Sequence, residues 1–298
     1  MRFLRIAPFI ALSACAATEV DSLVEAHRGG AGYWPGNSLS AVRGTIAAGF
    51  DAIEVDLVLT KDGEAVLSHD PVLDPEHCTN HKGKALTEAV RFDSLRLNAV
   101  RDDFLCGGVA DPDHPRAEVV AEPVMAFETM LSMLEDADPN LGVHLDIKYE
   151  QGWTPTAEDF AKAVLNPWWD ASLPQPMWVS ANTIEAIQAF ESHAQSRGRD
   201  VHTVLIHPFA EYGGSAPAAA LKAEGQHLLG KADYVQLLEE AGADGIAVHW
   251  EVAERGQVLR AHNAGYQVGL WTVNDPAIRE ALSGWPISMW ITDYPGSL

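Results

Sequence analysis

The chain has 298 residues, 47% hydrophobic and 21% charged, which is the composition of a globular protein with ample core for one large or two medium domains. Its 42 acids against 20 Lys and Arg give a net charge of −22. That balance excludes non-specific nucleic-acid binding and charge-driven docking on anionic lipid, though not an anionic substrate held by local cations.

The chain begins with a basic segment, Met1-Arg-Phe-Leu-Arg5, and an apolar run, Ile6–Leu12, too short to span a bilayer. Small residues then precede a cysteine in Leu12-Ser-Ala-Cys15. This pattern resembles a bacterial lipobox. Residues 1–14 are therefore expected to be a lipoprotein-type signal peptide, with Cys15 as the lipid-modified first residue and 15–23 as a tether. An ordinary secretory signal cut just after Cys15 is the alternative. The expected location is the periplasm, with membrane attachment only through Cys15. Cys78 and Cys106 remain, and an even pair in an exported chain suggests a disulfide; two buried free thiols are the alternative.

A short apolar run from Leu23 ends in His27-Arg28-Gly29-Gly30, the way an active-site loop leaves a strand. Asn37 is placed to N-cap a helix over Ser38–Ala48, whose Leu39, Val42, Ile46 and Ala47 recur at helical spacing. Residues 51–70 read as a β-hairpin closed by a two-residue Asp62-Gly63 turn. That turn makes Leu59 face Val66 and Asp56 face His69. Glu54, Asp56 and His69 then share one face, and Ile53, Val55, Leu57 and Leu59 form the other. Burying two carboxylates is costly without a partner, and a divalent cation is the natural one.

Residues 71–123 are irregular and rich in Pro, Asp, His and Gly, an insertion in which Leu86–Leu97 is expected to be helical. Helices are then predicted at Ala126–Ala137, Ala157–Leu165, Thr183–Ala194, Ala253–Asn263 and Pro276–Leu282, with an Ala-rich helical stretch over 216–241 broken at Gly225 or Gly230. Apolar strands fall near residues 24, 52, 142, 177, 202, 245, 267 and 288. Near-continuous apolar strands alternating with helices imply a parallel sheet, and eight such units over 24–298 give a TIM-type (β/α)8 barrel. Barrel chemistry sits at the C-terminal strand ends, and His27-Arg28, Glu54/Asp56, Asp146/Lys148, His249, Trp271 and Asp293 are all expected at or near them.

Glu54, Asp56 and Asp146 offer only oxygen ligands, which suit one Ca²⁺ or Mg²⁺. Arg28 and Lys148 beside such an ion suit a phosphate group. Histidine is the side chain best suited to act as a general acid or a general base near neutral pH, which makes His27 and His69 the candidates for those roles. The set reads as phosphodiester cleavage. An Asp146–Lys148 structural ion pair and a core role for His249-Trp250 stay open, as does a packing role for Trp271 in place of a substrate contact. His77, His81, His202 and His207 have no motif support as ligands.

The motifs His27-Arg28-Gly29, Glu54-x-Asp56, Thr60-Lys-Asp-Gly63, His69-Asp70, Asp146-x-Lys148, Trp271-Thr-Val-Asn274 and Thr292-Asp293-Tyr-Pro295 together resemble the glycerophosphodiester phosphodiesterase family. The match runs in order from about Val24 to Pro295. The resemblance implies a TIM-type barrel, a bound Ca²⁺ or Mg²⁺, and hydrolysis of glycerophosphodiesters to glycerol 3-phosphate and an alcohol. It further implies that His27 and His69 are the acid–base pair, that Glu54, Asp56 and Asp146 hold the metal, and that Arg28 and Lys148 hold phosphate. Two positions depart from the family pattern. Gly36 stands where the family usually has Glu, and Asp146 where it usually has the longer Glu. A lysolipid substrate, with lysophospholipase D or sphingomyelinase D-like activity, is the competing reading, suggested by the insertion and the tryptophans. A non-catalytic surface binding protein is a third; two histidines fit it poorly. The oligomeric state is not encoded in these motifs.

Overall fold

A computed structural model describes residues 22–150, 155–207 and 233–297. The expected signal segment, Cys15, and the 216–241 stretch up to residue 232 lie outside the described residues. Among the described residues, all eight expected strands form: β1 Leu23–Ala26, β2 Ala52–Leu59, β3 Gly142–Ile147, β4 Met177–Ala181, β5 His202–Ile206, β6 Gly245–His249, β7 Gln267–Trp271 and β8 Met289–Thr292. Each pairs in parallel with the next, and β1 pairs with both β2 and β8, closing the barrel.

Around it lie α1 Leu39–Ala48, α2 Leu97–Asp103, α3 Phe127–Leu134, α4 Ala157–Ala171, α5 Ile184–Ser196, α6 Tyr234–Ala241, α7 Arg255–Asn263 and α8 Pro276–Leu282. The outward faces of the strands build the main core. Ile53, Val55, Leu57, Val143, Leu145 and Val179 meet Phe127, Met130, Phe160, Val164 and Phe190. Fully burying each such side chain stabilises the fold by about 1.5–3 kcal/mol. The apolar cluster inside the barrel is smaller, around Ala52, Trp178, Val204, Ala247, Met289 and Ile291, so polar groups occupy much of the interior. α4 starts at a capping box: Thr156 Oγ1 accepts from Asp159 N, and Asp159 Oδ2 accepts from Thr156 N. It runs past the expected end at Leu165, through Pro167, because Trp168 continues its buried face.

The hairpin register differs from expectation by one residue. Leu57 pairs with Leu67, Val58 with Val66 and Leu59 with Ala65. Of the turn residues only Gly63 takes positive φ, at 80°, whereas the expected two-residue turn requires it at Asp62 too. A three-residue loop forms instead, with Gly63 N donating to Thr60 O and Thr60 N to Glu64 O. Asp56 consequently stands opposite Ser68, whose N–H donates to the Asp56 carbonyl at 3.1 Å. His69 lies beyond the strand, not across from Asp56.

The insertion encloses its own cluster of Val58, Val66, Leu73, Cys78, Phe92, Val100 and Val124. The helix expected at Leu86–Leu97 does not form. Val90-Arg91 pairs antiparallel with Val72-Leu73, and Phe92 N donates to Pro71 O, so strand pairing overrides the helical spacing. Cys78 and Cys106 form the expected disulfide, across 28 residues. The returning arm is fastened to the barrel where Glu122 accepts from Ser40 N and Ser40 Oγ at 3.0 and 2.8 Å.

Candidate active site

Strand alternation aims Glu54 and Asp56 of β2 and Asp146 of β3 into the barrel, and the register sets Asp56 beside Asp146. All three are buried, and each offers an oxygen within 4.8 Å of the others. Asp146 therefore reaches the cluster despite its shorter side chain. Ser180 Oγ on β4 donates to its Oδ1 at 2.8 Å. Lys148 Nζ bridges Asp146 Oδ2 at 2.6 Å and Asp56 Oδ1 at 2.9 Å. An Asp146–Lys148 ion pair is thus present, and Lys148 is shared by two carboxylates.

Electrostatics set Glu54 and Asp56 apart. Burial pushes the Glu54 carboxyl well up, reinforced by the charges of Asp56 and Asp146. Burial acts the same way on Asp56, but Lys148, His69, Arg28 and His27 outweigh it and hold that carboxyl well below the usual range. Lys148 itself is driven upward: burial opposes its charge, and Asp146 and Asp56 more than offset that. A cluster that pushes one of its own carboxylates toward protonation fits a divalent cation, and its all-oxygen donor set fits a hard one.

The loop after β1 wraps this cluster. Arg28 takes a left-handed φ of 52°, followed by Gly29 and Gly30 at 73° and 87°. This conformation is costly for Arg, and Glu54 Oε2 fixes it by accepting from Arg28 N at 2.7 Å. The buried Nε of Arg28 lies 3.6 Å from Asp56 Oδ2 and makes no hydrogen bond, so the guanidinium sits beside the carboxylate cluster as an ion pair. A side chain at Gly36 would bring its Cβ within 3.1 Å of Arg28 Cβ, so the glycine lets this loop fold tightly.

Asn37 is not the helix cap that the sequence suggested. Ser38 caps α1, accepting from Ala41 N at 3.1 Å. Asn37 adopts a positive φ of 59° and turns back to Asp56: Nδ2 donates to Asp56 Oδ2 at 2.6 Å, and Oδ1 accepts from Asp56 N at 3.0 Å.

His27 Nδ1 lies 2.6 Å from Asp293 Oδ1. The other oxygen, Oδ2, accepts from Asn274 Nδ2 at 2.6 Å and lies 3.2 Å from His114 Nε2. Asn274 Oδ1 in turn accepts from Asp293 N and Thr292 Oγ1. Burial pushes the Asp293 carboxyl up, but the surrounding histidines and Asn274 hold it far below its ordinary value. His69 Nδ1 lies 3.0 Å from Asp70 Oδ1. Desolvation, then Lys148 and Arg28, push its imidazole down. Arg28, Asn37 and His69 line one end of a cleft of about 250 Å³, and Leu67, Val72, Leu73, Phe92 and Val109 supply apolar wall toward the insertion. Trp271 is elsewhere in the mouth, edge-on to His249 with ring centroids 5.2 Å apart, and is not on that wall.

Deeper in the barrel, His144 Nδ1 pairs with Glu25 Oε2 at 2.7 Å, both fully buried. Sequence reading assigned no role to Asn37 beyond capping, none to Asn274 or Asp293 beyond motif membership and strand-end position, and none to Ser180, His114, Glu25 or His144. The Trp271–Asn274 and Thr292–Pro295 motifs carried a signal for two of these; the others had none.

Relatives share both sequence and fold. The "Probable glycerophosphodiester phosphodiesterase 2" of Mycobacterium tuberculosis is 27% identical over 274 residues, covering 90% of this chain and 86% of that protein. A Silicibacter pomeroyi DSS-3 crystal structure bearing the glycerophosphoryl diester phosphodiesterase name superposes with a TM-score of 0.76 at 22% identity, covering 92% of this chain and 90% of that one. An Oleispira antarctica phosphodiesterase, solved with the product sn-glycerol-3-phosphate, does so at 0.68 and 18%, covering 92% and 94%. At those identities the two structures establish the fold alone. The family assignment comes from the match of residues 27–297, nearly everything after the expected tether, to one family model, and by it the chain belongs to the glycerophosphoryl diester phosphodiesterase family.

Proposed function

We propose that this protein hydrolyses glycerophosphodiesters to glycerol 3-phosphate and an alcohol with the help of one divalent cation. The observation that carries this reading is the meeting of three groups at one barrel mouth. They are a buried carboxylate triad, two cations beside it, and two histidines that each have a carboxylate on Nδ1.

Glu54, Asp56 and Asp146 would hold the cation, with oxygen donors that favour Ca²⁺ or Mg²⁺. When bound, it supplies positive charge to the phosphoryl oxygens. Arg28 and Lys148, the two cations beside the carboxylates, orient the phosphate. His69, whose imidazole is pushed down by desolvation and then by Lys148 and Arg28, takes the proton of the attacking oxygen. His27, with Asp293 steadying positive charge on its ring, gives a proton to the leaving alcohol. Trp271 is the proposed wall on the far side of the mouth.

The apolar stretch of the cleft favours a second substrate, a lysolipid whose acyl chain would lie along it. Incubation with glycerophosphocholine and with lysophosphatidylcholine, after chelation and again after adding Ca²⁺ or Mg²⁺, tests both readings. Metal-dependent glycerol 3-phosphate from the first substrate supports the main proposal. Lysophosphatidic acid from the second alone would replace it, and no product from either would reject both.

We also propose that the chain is exported and anchored through Cys15. The Leu12–Cys15 pattern supports this, and the Cys78–Cys106 disulfide is at home in an oxidising compartment.

A further inference from the structure

His114 belongs to the insertion, yet it ends on the carboxylate that contacts His27. Its Nε2 lies 3.2 Å from Asp293 Oδ2, and its Nδ1 lies 2.7 Å from Asp111 Oδ2. Both ring nitrogens therefore face carboxylates, and the ring is only 13% exposed. These bonds hold the pKa of His114 up, at about 9, so at neutral pH it is a cation that donates on both sides. The loop bearing it is fastened at several points. Asp111 O accepts from His114 N, Glu118 N donates to Tyr33 O, and Val120 N donates to Gly107 O beside the disulfide.

We propose that His114 is a positioning residue for His27. Acting through Asp293, it holds the imidazole with Nδ1 bound and Nε2 turned into the mouth. Terminal carboxylate torsions are broad, so the set of Asp293 is fixed by the groups that grip it, and a swing there moves the ring it holds. Asn274 restrains Oδ2 from the barrel side, and His114 restrains it from the insertion side. The insertion thereby completes the His27 site as well as walling the cleft.

The inference rests on the proton-transfer role given to His27, and the test separates the two. His114→Ala in the metal-loaded full chain should lower kcat about ten- to a hundredfold with KM within about twofold. His114→Gln, which keeps an N–H for Asp293, should recover most of the loss. In an Asp293→Asn background the His114→Ala effect should vanish, because the two residues act as one unit. An unchanged kcat, a Gln variant as poor as Ala, or an equal loss in both backgrounds would overturn the proposal. If the parent chain cleaves no glycerophosphodiester, the activity reading fails, but the positioning claim is still decided by NMR of the His27 ring N–H proton, assigned by its loss in His27→Gln. That resonance should move in His114→Ala and be retained in His114→Gln; an unmoved resonance in both refutes the claim. Both readouts use the full chain, and circular dichroism excludes any variant that fails to fold, leaving His114→Gln as the milder probe.

Discussion

Asn37 grips Asp56 with both ends of its amide, so its loss would free a carboxylate expected to hold the cation. Asn37→Ala should weaken metal binding about 10–100-fold, the usual effect of removing a group that orients a ligand, as read by calorimetric titration. Asn37 reads as a cap because Asn before a helical run is a common one; the sign of φ that turns it toward Asp56 is not written in residue type. The two histidines should separate by leaving group. His27→Ala and His69→Ala should each lose about 10²–10⁴-fold on a glycerophosphodiester. With a p-nitrophenol leaving group, which needs no proton, most of the loss should disappear for His27→Ala and persist for His69→Ala; equal losses would mean the acid and base roles are wrongly assigned. His114 should show in stability as well. Its folded pKa, about 9, stands above the ordinary 6.5, so its contribution is whole below about pH 6.5 and is lost as pH rises through about 9. Asp293, Asp111 and, beyond Asp111, His77 are the charged groups around it. Urea unfolding should separate the parent chain from His114→Ala by at most about 3 kcal/mol near pH 6, and by much less near pH 10.

Among the elements, the barrel strands were the most legible. Buried on both faces, they read as apolar runs, and their polar exceptions marked the mouth. Of the motif residues, His27, Arg28 and Lys148 follow strand ends and Asp146 is next to last in β3, whereas Glu54 and Asp56 lie within β2, which runs on into the hairpin. What stayed hidden depended on partners distant in sequence. The Glu25–His144 pair joins β1 to β3 across 119 residues, and no local pattern announces it. The pair is enclosed, with a buried oxygen of Glu25 and Nε2 of His144 left without hydrogen bonds. Glu25→Leu would strand the histidine, whose pKa Glu25 raises against the effect of burial. It should cost about 3–5 kcal/mol in chemical denaturation. The failed Leu86–Leu97 helix has the same origin: its apolar residues were real, but they serve a strand pair and a small satellite core. The hairpin slip came from one dihedral, since Asp-Gly suits either turn and only the φ at Asp62 separates them.

At the scale of the whole molecule, the disulfide and the barrel closure govern how the parts cooperate. Cys78 and Cys106 close a 28-residue span, worth roughly 3–4 kcal/mol in the chain-entropy model. Cys78→Ser with Cys106→Ser should loosen the insertion before the barrel, with faster hydrogen exchange over residues 107–123 and slower β3 exchange unchanged. If lipid anchoring through Cys15 holds, Cys15→Ala should release the protein from the membrane fraction, and unchanged partition would reject it. Ring closure has a further consequence in time. β1 is made first and β8 last, and they become neighbours only when the ring shuts. His27 leaves the first of these strands and Asp293 follows the other, so their contact forms across 266 residues. Glu54, Asp56 and Asp146 stand on two adjacent strands, β2 and β3, whereas that histidine has its carboxylate partner only once the final strand has docked. If His27 has the proton-transfer role proposed for it, a chain lacking the last strand should be inactive even where Glu54, Asp56 and Asp146 have met.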